Sequence, residues 1–243
     1  MKRFIFFIGL LLSYSTLTAQ KKVTEKISAS NIESVFVNVK FAEKIEVKNW
    51  SRNEISVEAL VNINDNQDND TFSLKGQASN SQYEVTSDYG NLFKRYKKKT
   101  TGTSKGKKSK SYNYCDQHND IKINYTVYVP NGIALKVKSI SGDVDALSYD
   151  GKLTLDLISG NVTVKKHSKK MNLKTISGDI DLVVTDAKFK AETLTGTVYS
   201  DLDIEFNKNK RNVVGSKIYG TVKNGIASLN LKTISGNIYL RKK

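Results

Sequence analysis

An all-β fold, a parallel β-solenoid with rungs of ~18 residues, is predicted by three features of this 243-residue chain. The first is a short motif that recurs through the C-terminal half. It reads Ser141-Gly142-Asp143-Val144, Ser159-Gly160-Asn161-Val162, Ser177-Gly178-Asp179-Ile180, Thr195-Gly196-Thr197-Val198, Tyr219-Gly220-Thr221-Val222 and Ser235-Gly236-Asn237-Ile238. The first four glycines keep one spacing, from Gly142 through Gly160 and Gly178 to Gly196. The step to Gly220 is then longer and the step to Gly236 shorter. A near-constant period of this length marks a repeat architecture. The second feature is the strand-like alternation of β-branched residues around each glycine. The third is the presence of one proline in the whole chain, since proline removes a donor from a ladder.

Within a repeat, apolar residues stand two after the glycine (Val144, Val162, Ile180, Val198, Val222, Ile238) and two before it (Ile140, Ile158, Ile176, Leu194, Ile218, Ile234). They stand again five before it (Val137, Leu155, Leu173, Ala191, Leu231) and seven before it (Leu135, Leu153, Met171, Phe189, Val213, Leu229). Strand, glycine corner, strand is the expected unit, because glycine turns a corner without steric cost. Gly142, Gly160, Gly178, Gly196, Gly220 and Gly236 are the expected structural corners. Stacked rungs would bury the apolar positions as continuous columns. Positions five and two before the glycine are both apolar, so a bulge or bend is expected between them. Lys138, Asp156, Lys174 and Glu192, four before the glycine, alternate in sign as neighbouring strands prefer.

These repeats, the lead-in Tyr128-Val129-Pro130-Asn131-Gly132 and the ending Gly236-Asn237-Ile238-Tyr239-Leu240 resemble the bacterial putative-adhesin family of unknown function, relatives of the auto-transporter adhesin head called GIN. The resemblance covers about half to two-thirds of the chain beyond its leader. It implies a secreted or surface β-solenoid and supplies no catalytic residues to transfer. Fold alone does not license function.

Taken in order, Met1-Lys2-Arg3 and the apolar run from Phe4 to Leu12 read as a secretory signal peptide over residues 1–20. The run is too short to span a bilayer as a helix, and no later segment qualifies. Residues 21–243 are expected to form a single β-solenoid domain. A lone cysteine, Cys115, leaves no intramolecular disulfide. Alternation from Val35 to Phe41, at Ile45 and Val47, and from Ile55 to Ala59 predicts an N-terminal β cap with blurred first rungs. Trp50 beside the turn Asn49–Asn53 is expected to pack at a rim. Asn62 to Asp70 alternates oxygen-bearing residues but lacks the glycine and closing glutamate of a calcium loop, so a solvated turn is expected. Phe72-Ser73-Leu74 and Tyr83-Glu84-Val85 predict two further strands.

A basic loop insertion is expected at about residues 90–120. Its centre holds Lys94, Arg95, Lys97, Lys98, Lys99, Lys105, Lys107, Lys108 and Lys110, with no acid among them. Those nine cations crowd one short segment of a chain with formal charge +15. One reading is an anion-binding arm for phosphorylated surface glycans, acidic polysaccharide, extracellular DNA or an envelope surface, with flanking aromatics able to stack on sugars or bases. The other is a solvated loop that keeps the protein soluble. Cytoplasmic nucleic acid is not an expected partner of an exported chain. Cys115-Asp116-Gln117-His118-Asn119-Asp120 gathers metal-ligand types, but no second cysteine or histidine lies near, and no metal or cofactor is expected. Residues 121–129 predict a long strand leading into the repeats, and residues 205–210 a loop out of the stack. Lys242-Lys243 would discourage pairing at an open end of the stack.

No phosphate loop, nucleotide fingerprint or usable Ser-His-Asp group is present. Asp143 and Asp179, or Asp145 and Asp181, would lie two rungs apart at ~9.6 Å, near the outer limit for paired glycosidase carboxylates. The chain is therefore expected not to be an enzyme. The expected role is a non-catalytic, extracytoplasmic, adhesin-like binding or scaffold protein. A periplasmic polysaccharide- or envelope-binding protein and a weak carbohydrate-active solenoid are the alternatives.

Overall fold

The structure, a computed structural model, describes residues 20–94, 119–204 and 215–243. The leader expected over residues 1–20 falls almost wholly outside them, as do residues 205–214. In chain order the first strands are β1 (Lys21–Ser28), β2 (Ser34–Val39), β3 (Lys44–Trp50), β4 (Glu54–Ile63), β5 (Ser73–Ser79) and β6 (Gln82–Asp88). There follow β7 (Ile121–Pro130), β8 (Ala134–Ser139), β9 (Asp143–Ser148), β10 (Leu153–Ser159), β11 (Val162–Val164) and β12 (Lys170–Ser177). The last are β13 (Ile180–Val184), β14 (Ala187–Thr193), β15 (Val198–Ser200), β16 (Ser216–Val222), β17 (Ala227–Thr233) and β18 (Ile238–Lys242).

They form two sheets. The first has the order β1-β4-β7-β3-β9-β11-β13-β18-β15, the second β16-β14-β17-β12-β10-β8-β2-β6-β5. Each rung gives one strand to each sheet and turns between them at a corner. Inward side chains of both sheets meet in one apolar core, with Val137, Leu155, Leu173 and Leu231 fully buried in successive strands of the second sheet. All-β stands as expected from the sequence.

Purely parallel pairing does not. β4 runs antiparallel to β1 and to β7, β5 to β6, and β16 to β14, so both sheets are mixed. The strands behind the repeats are parallel and in register, Leu153 beside Leu135 and Met171. The stacking order also departs from chain order. β17 lies between β12 and β14, and β18 between β13 and β15. The final rung is thus intercalated, and Lys242 is on a strand paired on both sides rather than at an open end.

Gly220 is not a corner. It sits within β16, opposite Phe189. A Cβ there would lie 2.5 Å from the Phe189 ring, so the glycine makes room for an aromatic side chain folded over an edge strand.

The corners of the other five rungs follow one rule. A Cβ on Gly160, Gly178 or Gly236 would lie 2.1 Å from the carbonyl oxygen of Gly142, Gly160 or Gly178, and one on Gly196 would lie 1.8 Å from that of Gly236. Each glycine is therefore required by the rung stacked on it. Gly142, Gly160, Gly178 and Gly236 also hold positive φ, from 111° to 155°.

No bulge is needed before the corner. Strict alternation continues through Ser139, Thr175, Thr193 and Thr233, three before each glycine, which are buried. Their hydroxyls donate to corner carbonyls: Thr175 to Gly160 O (3.1 Å), Thr233 to Gly178 O (3.0 Å) and Thr193 to Gly236 O (2.8 Å). Position two before the glycine consequently faces outward. Ile140, Ile158, Ile176 and Leu194 are 39–48% exposed, contrary to the buried column expected.

β6 pairs parallel with β2, and β7 parallel with β3. These two strands therefore form a further rung, and the lysine-rich insertion lies between them in the chain, almost wholly outside the described residues. On the described side of that insertion Tyr89 packs edge-on against Phe41 and Phe72.

Candidate functional site

The two outer sheet faces differ in charge. On the first sheet the outward row Glu58, Glu46, Asp145, Asp181 is matched by cations. Lys22 meets Glu58 at 2.9 Å, Lys44 meets Asp145 at 2.9 Å, and Lys48 meets Glu46 at 2.6 Å. Arg241 donates two parallel bonds to Asp181, at 3.1 and 2.9 Å. The Lys48 and Lys44 ammoniums hold Glu46 below the usual carboxylate range. Trp50 stacks on Tyr128 at this face, centroids 4.7 Å apart, with the Arg52 guanidinium over the indole. It is half-buried at a rim, as its place beside a turn suggested.

The outer face of the second sheet is rich in lysine. Alternation sends Lys136 and Lys138 outward from β8, Lys170 and Lys174 from β12, Lys188 and Lys190 from β14, Lys217 from β16 and Lys232 from β17, with Lys152 beside the start of β10. Among the described residues only Asp156 and Glu192 answer them in the β8–β16 part of this face. Lys174 lies 3.5 Å from Asp156, and Lys190 and Lys232 lie 3.1 and 3.7 Å from Glu192. The bond from Lys190 holds the Glu192 carboxyl below its ordinary range. Among the described residues Lys136, Lys138, Lys152, Lys170, Lys188 and Lys217 have no carboxylate within ion-pairing distance. The expected alternation of Lys138, Asp156, Lys174 and Glu192 is present but interrupted. Intercalation of β17 sets Lys232 beside Lys174, so two like charges adjoin.

An open groove of ≈ 340 Å³ crosses this face over β10, β12 and β17. Lys152 and Lys170 stand at one side. Thr154, Asn172, Ser228 and Asn230 supply hydroxyls and amides, with Asn230 Nδ2 donating to Asn172 Oδ1 at 2.8 Å. Unpaired cations beside neutral donors and acceptors can take an anionic group and its neighbouring hydroxyls.

The nine cations singled out in the sequence are placed only in part. Lys94 ends a short 3-10 turn, Leu92–Lys94, and is exposed. Arg95, Lys97, Lys98, Lys99, Lys105, Lys107, Lys108 and Lys110 lie outside the described residues, and so do Cys115 and His118. The groove lysines were legible as outward strand positions, but their convergence required the order of the rungs.

The acidic corner residues have a structural task. Asp143 Oδ1 accepts the Asn161 N–H (2.8 Å), Asn161 Oδ1 that of Asp179 (2.9 Å), Asp179 Oδ1 that of Asn237 (2.7 Å), and Asn237 Oδ1 that of Thr197 (3.0 Å). One side chain thus satisfies the backbone of the next rung, and Thr197 ends the row. Amides between Asp143 and Asp179 keep like charges from adjoining. Asp179→Asn is expected to leave the melting temperature nearly unchanged, because Asn161 and Asn237 already do the same work. Asp179→Ala should cost about 1–2 kcal/mol in denaturant unfolding, by orphaning the Asn237 N–H. Equal effects of the two changes would contradict this role.

Among the described residues no group of three or more His, Cys, Asp and Glu side chains is placed to hold a metal ion, and no helix is long and apolar enough to cross a membrane. The loop Asn62–Asp70 closes on itself, with the Asn69 side chain accepting the Ile63 N–H at 2.8 Å.

Residues 131–241 match the model of the family described as Toastrack DUF4097. That match carries the resemblance to the putative-adhesin family of unknown function. It covers somewhat less than half of the chain and begins after β2 and β3, which the structure places in the same stack. The chain is similar in fold to a crystal structure described as a putative cell adhesion protein from Clostridium sporogenes, at 13% identity and TM-score 0.54, over 92% of this chain and 100% of that one. A putative adhesin from Bacteroides fragilis aligns over 93% of this chain and 99% of its own, at 12% identity and TM-score 0.32. Among curated proteins none matches.

Proposed function

We propose that this protein is a non-catalytic, extracytoplasmic, adhesin-like binding or scaffold protein that takes anionic glycans on the outer face of its second sheet. Residues 1–20 act as its export leader, and residues 21–243 form one β-rich unit carrying the basic insertion. The carrying observation is a set of lysines without a carboxylate partner, Lys152 and Lys170 lining the groove and Lys136 and Lys188 on the strands that flank it, with Asn172 and Asn230 between them. An unpaired ammonium on a broad face attracts polyanions without demanding one sequence of sugars. The engagement of Asp143 and Asp179 with backbone N–H groups favours binding over hydrolysis. The lysine-rich segment 94–110, which lies between β6 and β7 in the chain, is a second candidate contact for the same anions.

The test is binding of dextran sulfate and polygalacturonate, with neutral dextran as control, across a salt series. The reversal of Lys136, Lys152, Lys170 and Lys188 to Glu is expected to weaken polyanion binding about tenfold or more, each lost contact being worth on the order of 1 kcal/mol near water. Folding should be unaffected, since all four side chains are exposed. A second chain lacking residues 95–110 measures the contribution of that segment. Unchanged binding in the reversed variant would remove the sheet face from the site.

A further inference from the structure

The outward turn of the position before each corner has a result that neither the repeats nor the glycan reading explains. Ile140, Ile158, Ile176, Ile234 and Leu194 stack rung on rung in the order of the sheet. Ser159 N–H donates to Ile140 O, Ser235 N–H to Ile176 O and Thr195 N–H to Ile234 O, which sets the order. At the ordinary strand spacing the five make a ridge of branched aliphatic side chains ~19 Å long. Ile140 is 41% exposed, Ile158 46%, Ile176 39% and Leu194 48%. Soluble proteins scatter such residues singly, and a contiguous row marks a contact surface.

The charges along the ridge narrow the occupant. Ile140 N–H donates to Lys40 O, so Lys40 heads the same row. Alongside, on the outer sheet face, run Lys138, Asp156, Lys174, Lys232, Glu192 and Lys217. Four cations stand there against two carboxylates. Asp143 and Asp179 lie on the far side of the corner, occupied by the Asn161 and Asn237 N–H groups. A second copy set ridge to ridge would bring lysines against lysines. A sugar would call for flat aromatic rings, and the ridge is branched aliphatic. An anionic lipid surface meets both demands, since apolar side chains enter the headgroup boundary while neighbouring lysines reach phosphates.

We propose that the ridge Ile140–Ile158–Ile176–Ile234–Leu194 docks the protein on an anionic lipid bilayer, its side chains entering the headgroup region and Lys40, Lys138, Lys174 and Lys232 contacting lipid phosphates. This contact is separate from the glycan groove, and the two could be occupied together.

The test uses residues 20–243, which hold every described strand and leave out the apolar leader that would insert by itself. Partition is measured by co-sedimentation with vesicles of phosphatidylcholine alone and with 30 mol% phosphatidylglycerol. Preference for the anionic vesicles is expected, with a drop of roughly tenfold in the Ile158→Ser/Ile176→Ser variant, since each aliphatic side chain removed forfeits on the order of a CH₂-rich transfer gain. The variant should keep its far-UV circular dichroism, melting temperature and dextran sulfate binding. Ile176→Cys in a Cys115→Ser background, labelled with an environment-sensitive fluorophore, should shift to the blue on anionic vesicles. Failure of the parent chain to bind those vesicles overturns the proposal, as does equal partition of parent and variant or a label that stays in water. Loss of dextran sulfate binding in the parent would strike the glycan reading and leave this one standing.

Discussion

Gly178→Ala is expected to lower stability by about 3–5 kcal/mol, among the largest effects of any single change in the repeats. Its added Cβ would lie 2.1 Å from Gly160 O, a backbone atom fixed in the adjoining rung. The residue also holds φ of 150°, which side-chain-bearing residues rarely adopt. Relief would require the rungs to separate, breaking the Gly160 N–H to Ser177 O bond and the Asp179 ladder beside it. Gly132→Ala is the matched control. Gly132 has φ of 84° but nothing within 4 Å of the added atom, so only backbone strain of about 1–2 kcal/mol applies. Thermal or denaturant unfolding separates the two. If both changes cost the same, the stacked carbonyl is not what demands glycine.

A chain ending after residue 224, which removes β17 and β18, is expected to lose the packing of residues 187–222 and to aggregate. In a stack built in chain order, removing an end rung forfeits one neighbouring interface and leaves the rest folded. Here the final rung is internal. β17 holds β12 on one side and β14 on the other, and β18 holds β13 and β15. Without them four strands lose a paired edge, and β14 with its antiparallel partner β16 has nothing to join. Leu229, Leu231, Ile238 and Leu240 would also leave the core, each buried to within 2%. Limited proteolysis and size-exclusion chromatography read the outcome. A truncated chain that stays monomeric and protected through residues 187–222 would show that the intercalated rung is dispensable.

On the proposals above, lysines at 136, 152, 170 and 188 would govern polyanion binding, and the aliphatic ridge lipid binding. Both surfaces arise from one cause, the strict alternation of outward and inward residues through each repeat. That alternation explains why Thr175 is buried and Ile176 is not. A hydroxyl is admitted to the interior because a corner carbonyl needs a donor, and the isoleucine next to it is then turned out.

The sequence by itself determined the all-β class, the strands behind each repeat, the inward columns such as Val137, Leu155 and Leu173, and the corner role of Gly142, Gly160, Gly178, Gly196 and Gly236. These are local matters, set by alternation along a short stretch and by the backbone freedom of glycine. Tertiary structure alone decided the rest. The insertion of β17 and β18 between earlier rungs, the antiparallel strands that make the sheets mixed, and the true place of Gly220 depend on which strand edges meet. Pairing between strands as distant in the chain as β12 and β17 leaves no mark on the spacing of a motif. The Lys174–Lys232 neighbours, the groove beside Lys152 and Lys170, and the continuity of the aliphatic ridge follow from that order, because a surface is assembled from strands that are adjacent in space.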